Sequence, residues 1–209
     1  MTEKIKTGTT CIGLLFKDGV ILAADRRVTA GGMIVGNKST KIYDISSNIL
    51  ATTSGHAADN QLFVRIVQSE ARLLELKNER QIKVKEAAMI FNSMQYSALR
   101  SQGSVVSLIL GGYDKLGPSL YNLSPDGTIV TNEGFVVDGS GSIFIKAIFE
   151  NEYNPNMTKE EALELIEKGF KSAFNNDNAS GGGFIVRVVT KEGIEELTRK
   201  VVKTQIVKE

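Results

Sequence analysis

Gly8-Thr9-Thr10-Cys11-Ile12-Gly13-Leu14-Leu15-Phe16-Lys17-Asp18-Gly19-Val20-Ile21-Leu22-Ala23-Ala24-Asp25 contains two apolar strand-like runs, Cys11 to Phe16 and Val20 to Asp25, folded back on each other at Lys17-Asp18-Gly19. Asp-Gly between two such runs predicts a hairpin, because these residues reach the backbone angles that a tight turn demands. At the start of the first run a hydroxyl residue, Thr9, directly follows glycine. Cutting between Gly8 and Thr9 would make threonine the first residue. Its own freed α-amine could then take the proton that its hydroxyl must lose. An unperturbed α-amine has a pKa of about 7.7–8.0, so an appreciable fraction is neutral near physiological pH. The hairpin and its first residues therefore predict a self-processing threonine hydrolase.

Outward from the hairpin, residues 26–37 are polar and glycine-containing, and shorter strand candidates follow at Lys41 to Asp44 and Asn48 to Thr53, ending at Ser54-Gly55. Helical spacing runs from His56 to about Lys77 through Leu62, Ile66, Leu73 and Leu74. It resumes from about Lys85 to Arg100 through Ala87, Met89 and Ile90. Strand patterning returns at Val105 to Tyr113, Ser119 to Leu123, Thr128 to Thr131 and Phe135 to Asp138, with a turn at Pro125-Asp126-Gly127. A short helix is expected near Ser140. A stronger one starts at Thr158, whose spacing to Glu161 is that of a capping box. Gly181 to Gly183 break the chain before a last strand pair, Phe184 to Thr190 and Ile194 to Leu197, joined by Lys191-Glu192-Gly193. Strands, helices, strands, helices, strands is a blockwise order. It predicts an α+β fold, two packed sheets flanked by helices, over a doubly wound sheet.

The 209 residues, 42% of them hydrophobic, suit one domain with a substantial core, and no linker or repeat divides them. Twenty-five Lys and Arg against 24 Asp and Glu leave a formal charge of +1, too even to supply the basic field that nucleic acid or an anionic membrane requires. With one cysteine, Cys11, and one histidine, His56, neither an intrachain disulfide nor a thiolate and imidazole zinc site can be assembled. Residues 1–8 lack the apolar core of a secretion signal, and no segment has the apolar length to span a bilayer, so a cytoplasmic location is expected.

Four motifs in order, KTGTTCIGL at 6–14, AADRRVT at 23–29, DGSGS at 138–142 and NDNASGGG at 176–183, resemble those of proteasome β subunits of the archaeal type, over essentially the whole chain. The resemblance implies the N-terminal nucleophile fold, a four-layer αββα sandwich. It also implies a propeptide of residues 1–8 removed by autocatalysis and a single catalytic domain over 9–209. Thr9 would be the nucleophile, Lys41 the active-site lysine favouring loss of its hydroxyl proton, and Asp25 the carboxylate that holds Lys41. Gly55 would supply a backbone N–H to the oxyanion. Ser140, Asp177 and Ser180 would form a polar network around the terminal amine, and Arg27 would be structural. The implied substrate pocket is Val28, Ser39, Tyr43, Thr53 and Ala57, with Lys41 its one charged residue and a preference for apolar or neutral side chains. Implied partners are proteasome α subunits, other β subunits in stacked heptameric rings, a regulatory ATPase or cap, and unfolded polypeptide substrates. No metal or organic cofactor is implied. Ser54, His56 and a third glycine in the SGG segment depart from the family's usual residues, which bears on specificity more than on activity.

Each residue also has an ordinary reading. Threonine at a strand start is common, Lys41 alone would be an edge-strand lysine, and Asp25 alone a turn or surface-pair carboxylate. Gly55 could serve only to relieve a strand-to-helix junction. DGSGS and ASGGG lack the Gly-Lys-Ser/Thr ending of a phosphate loop. His56 beside a turn reads as packing or capping, and Cys11 as a small buried residue. The stripe Leu62, Ile66, Leu73 fits either core or subunit contact. A noncatalytic ring subunit, a relative of the bacterial two-ring threonine protease, and an amidase of the same fold are the alternative functions.

Overall fold

The computed structural model describes residues 8–30, 32–102 and 106–199. In chain order the elements are β1 (Thr10–Phe16), β2 (Gly19–Asp25), β3 (Val28–Ala30), β4 (Met33–Gly36), β5 (Ile42–Ser46), β6 (Ile49–Gly55), α1 (Ala57–Asn78) and α2 (Val84–Gln102). There follow β7 (Val106–Asp114), β8 (Gly117–Leu123), β9 (Ile129–Asn132), β10 (Phe135–Gly139), α3 (Ser142–Glu152), α4 (Lys159–Asn176), β11 (Phe184–Thr190) and β12 (Gly193–Arg199). The expected strand start at Val105 lies outside the described residues.

Two five-stranded antiparallel sheets form, in the orders β10-β1-β2-β11-β12 and β5-β6-β7-β8-β9. The β1–β2 hairpin lies at the heart of the first. Its register pairs Cys11 with Ala24 and Phe16 with Gly19. Both strands are buried almost throughout, because each face has its own cover. Side chains alternate sides of a strand. Ile12, Leu14, Phe16, Ile21 and Ala23 join Ile145, Phe149, Ile166 and Phe170 of α3 and α4 in one core cluster. Cys11, Val20, Leu22 and Ala24 pack instead with Leu50, Ile109 and Leu120 of the second sheet. On that sheet's other face, Ala51, Leu108 and Leu110 meet Phe63, Val67, Ala88 and Phe91 of α1 and α2. The fold is α+β, as the block order predicts.

Close approach of the sheets depends on missing side chains. A Cβ at Gly13 would lie 2.6 Å from Ile109 Cγ2, and one at Gly111 2.6 Å from Val20 Cγ1. Either substitution would force the sheets apart and forfeit dispersion contacts on both sides.

Two features differ from expectation. Residues 26–37 hold a separate two-stranded sheet, β3 paired with β4, with a register shift between Val28 and Thr29. Strands of three and four residues are too short for alternation to declare them. On α1, Leu62, Ile66 and Leu73 face outward, 48%, 38% and 58% exposed, and the inward stripe is Asn60, Phe63, Val64, Val67 and Ala71. Of the two readings left open for this stripe, core and subunit contact, the core reading fails, since all three residues lie on the outer face of α1. Met89 on α2 is likewise exposed, while Ala87 is buried. The capping box at Thr158 and Glu161 forms as predicted, each residue satisfying the other's backbone N–H. No helix among the described residues is long and apolar enough to cross a membrane.

Candidate active site

At one end of the β1–β2 hairpin the chain enters β1 through Gly8 and Thr9 and leaves β2 through Asp25, so antiparallel pairing alone brings Asp25 beside the start of β1. Asp25 is 1% exposed and accepts four hydrogen bonds. Its Oδ1 accepts from Lys41 Nζ at 2.6 Å and from the Thr10 N–H at 3.0 Å. Its Oδ2 accepts from the backbone N–H groups of Arg27 at 3.0 Å and Gly181 at 3.1 Å. Burial pushes the carboxyl up from its ordinary value, while the Lys41 ammonium and the Thr10 and Gly181 N–H groups pull it down. All four partners are donors. A protonated carboxyl would turn a donor toward donors, so the arrangement fits the carboxylate. Lys41, just before β5, is itself buried and forms its ion pair with this carboxylate.

Thr9 is 8% exposed. Its hydroxyl donates to the carbonyl oxygen of Gly8 at 2.8 Å, and so sits against the peptide bond that joins the two residues. Its own carbonyl accepts from the Ser140 N–H at 2.9 Å and the Ser140 hydroxyl at 3.4 Å. The Gly8 N–H donates to Thr29 Oγ1 at 2.9 Å. A Cβ on Gly8 would fall 2.0 Å from Ala179 Cβ, so this position admits only glycine.

The second polar group is built from the other two motifs. Asp177 at the C-terminus of α4 accepts from the Ser140 hydroxyl at 2.6 Å, the Ser180 hydroxyl at 2.5 Å and the Ala179 N–H at 3.0 Å. Partial burial pushes this carboxyl up, but the two hydroxyls, the N–H and the nearby Arg27 charge outweigh it and hold it below the usual carboxylate value. Ser180, fully buried, also shares a short hydrogen bond with Thr10 Oγ1, which accepts from the Gly141 N–H at 3.0 Å. Thr10 thus links the two carboxylates, its N–H on Asp25 and its hydroxyl on the Asp177 group.

A cavity of about 60 Å³ opens on Thr9. Gly8, Thr9, Lys41 and Gly55 line it, together with Val28, Ser39, Tyr43, Thr53 and Ala57, so all five residues expected of a substrate pocket share this wall. Gly55 ends β6 at φ 109°, a conformation that penalises any side chain. The wall also holds Arg27, Asn60 and Gln61. Arg27 corrects the expectation of Lys41 as the one charged lining residue. Ala57, Asn60 and Gln61 stand at i, i+3 and i+4 of α1, a helical spacing from which the last two could have been found.

Arg27 donates from its guanidinium to Asn178 O at 2.8 Å and Asn37 Oδ1 at 3.3 Å, which ties the residue before β3 to the loop after α4 and to the segment after β4. The Ser54 hydroxyl donates to Asp138 through a short hydrogen bond, joining β6 to the first residue of DGSGS. Cys11 is fully buried, and burial pushes its thiol up to about 12 despite the Thr52 hydroxyl donating to it, so it is packing rather than a nucleophile. His56 precedes α1 with no side-chain capping bond and lies 3.5 Å from Asp59. No cluster of three or more metal-ligating side chains occurs among the described residues.

The sequence profile described as proteasome subunit matches residues 5–189. A protein named proteasome subunit beta from Methanocorpusculum labreanum is 38% identical over 195 residues, 93% of this chain and 92% of its own length. Its namesake from Methanobrevibacter smithii is 36% identical over the full length of both chains. That from Methanopyrus kandleri is 37% identical over 96% of each.

Proposed function

The chain belongs to the proteasome subunit family, and from that premise we propose that it is a catalytic β subunit, a threonine endopeptidase activated by self-cleavage between Gly8 and Thr9. The supporting observation is the single cavity in which the Thr9 hydroxyl, 2.8 Å from the Gly8 carbonyl oxygen, shares a wall with Lys41 and Gly55. In the first step Thr9 Oγ attacks the Gly8 carbonyl carbon. The new C–O bond forms, the C–N bond to Thr9 breaks, and the hydroxyl proton ends on the Thr9 nitrogen. Water then hydrolyses the ester, releasing residues 1–8 with a carboxylate on Gly8 and leaving Thr9 with a free hydroxyl and amine.

Turnover repeats the chemistry on a substrate. The amine takes the proton from Thr9 Oγ as it attacks, and hands it to the leaving amine; water resolves the acyl-enzyme. Lys41, held by Asp25, stabilises the alkoxide as it forms, and the Gly55 N–H receives the oxyanion. Ser140, Asp177 and Ser180 orient the amine and its water. No metal or organic cofactor enters this chemistry. In the whole reading, the αββα domain assembles with α subunits and with β subunits in stacked heptameric rings. The site then faces a closed chamber in the cytoplasm, fed with unfolded polypeptides by an ATPase or cap. Following the resemblance, the cavity favours apolar or neutral side chains before the cut, the Lys41 charge in its wall being matched by Asp25.

Thr9→Ala tests this reading in particles assembled with α subunits. It is expected to leave residues 1–8 attached and to abolish peptide hydrolysis without preventing assembly. Hydrolysis at the wild-type rate by that variant would overturn it.

A further inference from the structure

β3 is three residues long, and its pairing with β4 slips between Val28 and Thr29. Such an irregularity re-aims a side chain. Val28 lines the cavity, and Thr29, next along, is 4% exposed with its hydroxyl oxygen 2.9 Å from the Gly8 nitrogen. The Gly8 N–H lies outside any sheet ladder, and Thr29 is its hydrogen-bond partner among the described residues. We propose that Thr29 is the positioning residue for self-cleavage, its hydroxyl oxygen fixing the acyl side of the Gly8–Thr9 bond.

The scissile peptide is otherwise held from its far side. Thr9 O is bound by Ser140, and the Thr10 N–H by Asp25. Those contacts fix the half that stays. Without a restraint on Gly8, the Gly8–Thr9 peptide could rotate about the Thr9 N–Cα bond and swing the carbonyl carbon away from Thr9 Oγ, and glycine, the residue least confined by its own backbone, would not resist that rotation. Ala179 blocks one side of Gly8, and Thr29 pins its nitrogen. Two supports on the leaving half turn a permissive residue into an oriented one, and orientation is what an intramolecular attack needs. The Thr29 contact is lost with Gly8 when the leader departs.

This inference rests on the self-cleavage reading above. The test follows loss of residues 1–8 by intact mass after mixing full-length chain with α subunits, for wild type, Thr29→Val and Thr29→Ser. Val keeps the shape and removes the acceptor; Ser keeps the acceptor. Leader removal is expected to slow about tenfold in Thr29→Val, the effect of losing one well-placed hydrogen bond, and to stay within about twofold of wild type in Thr29→Ser. Equal rates for wild type and Thr29→Val would overturn the proposal, as would equal slowing by Val and Ser, which would make Thr29 a packing residue. If Thr29→Val does not assemble, Thr29→Ala removes the same acceptor in a smaller side chain and is judged by the same outcomes. Failure of wild type itself to lose residues 1–8 would sink the self-cleavage reading, a result distinct from these.

Discussion

Asp25 and Asp177 stand at the two ends of one hydrogen-bonded chain through Thr10, yet they are built oppositely. Asp25 is sealed in the hairpin core and bound by one ammonium and three backbone N–H groups. Asp177 is half-buried at a helix end, and two of its three partners are hydroxyls. Backbone donors cannot rotate or give up a proton, so Asp25 is a fixed carboxylate, an anchor against which Lys41 is held. Hydroxyls can donate and accept in either direction, so the Asp177 group suits proton relay and the orientation of an amine and water. Burial raises the Asp25 carboxyl; hydrogen bonds lower that of Asp177.

The contrast breaks most severely at the anchor. Lys41→Met leaves a buried carboxylate without its counter-charge, and removing one member of a buried pair costs about 3–5 kcal/mol. We expect a stability loss of that size in chemical denaturation of the isolated chain, and no leader removal in assembled particles. A loss under about 1 kcal/mol would mean that Asp25 is neutral beside Lys41. Asp25→Asn should approach the same cost, because whichever way the amide turns, its NH2 must face donors. Its circular-dichroism melt should fall accordingly, and processing should stop.

Asp177→Asn is milder. An amide oxygen in the place of Oδ2 can still accept from both serine hydroxyls, while its NH2 loses the Ala179 N–H, so the stability change should be about 1 kcal/mol, with turnover of a fluorogenic peptide reduced about tenfold while the leader is still removed. A variant as damaged as Lys41→Met would erase the distinction between anchor and relay.

The smallest effect is on acid stability. A lowered carboxyl contributes stability above its unfolded pKa, about 3.9, and loses it as pH falls through the folded value. The gap in melting temperature between wild type and Asp177→Asn should therefore be widest above about pH 4 and close toward pH 2. Asp25, raised rather than lowered, has the opposite sign: its contribution is present below the unfolded pKa and lost as pH rises through the folded one. A gap for Asp177→Asn that widened on acidification would reverse the assignment.

Much of this was legible in the sequence because hairpin geometry is local. The hairpin closes through the two-residue loop Lys17-Asp18, with Gly19 already paired to Phe16; the short loop fixes the pairing, and the pairing places Asp25 next to Thr10. The resemblance carried by the four motifs, with Lys41 at a fitting interval between them, then implied Lys41, Ser140, Asp177 and Ser180 as one site. Legibility failed where a property depends on what lies across space. Leu62, Ile66 and Leu73 have the apolar spacing of a core stripe but face outward, while polar Asn60 is buried beside the cavity; hydropathy does not distinguish a core from a surface reserved for contact. The short β3–β4 pair left no periodic trace. The contacts of Gly8 with Thr29 and Ala179 join positions 21 and 171 residues apart; both partners lie in motifs, AADRRVT and NDNASGGG, but nothing in those motifs says that they meet at Gly8.

Every catalytic step of the proposed mechanism depends on Thr9 acquiring a free amine. The most direct measurement is the intact mass of this chain recovered from particles assembled with α subunits, read beside Thr9→Ala prepared identically. We expect a wild-type chain that begins at Thr9 and a variant that keeps residues 1–8. A wild-type chain that retains them would contradict it.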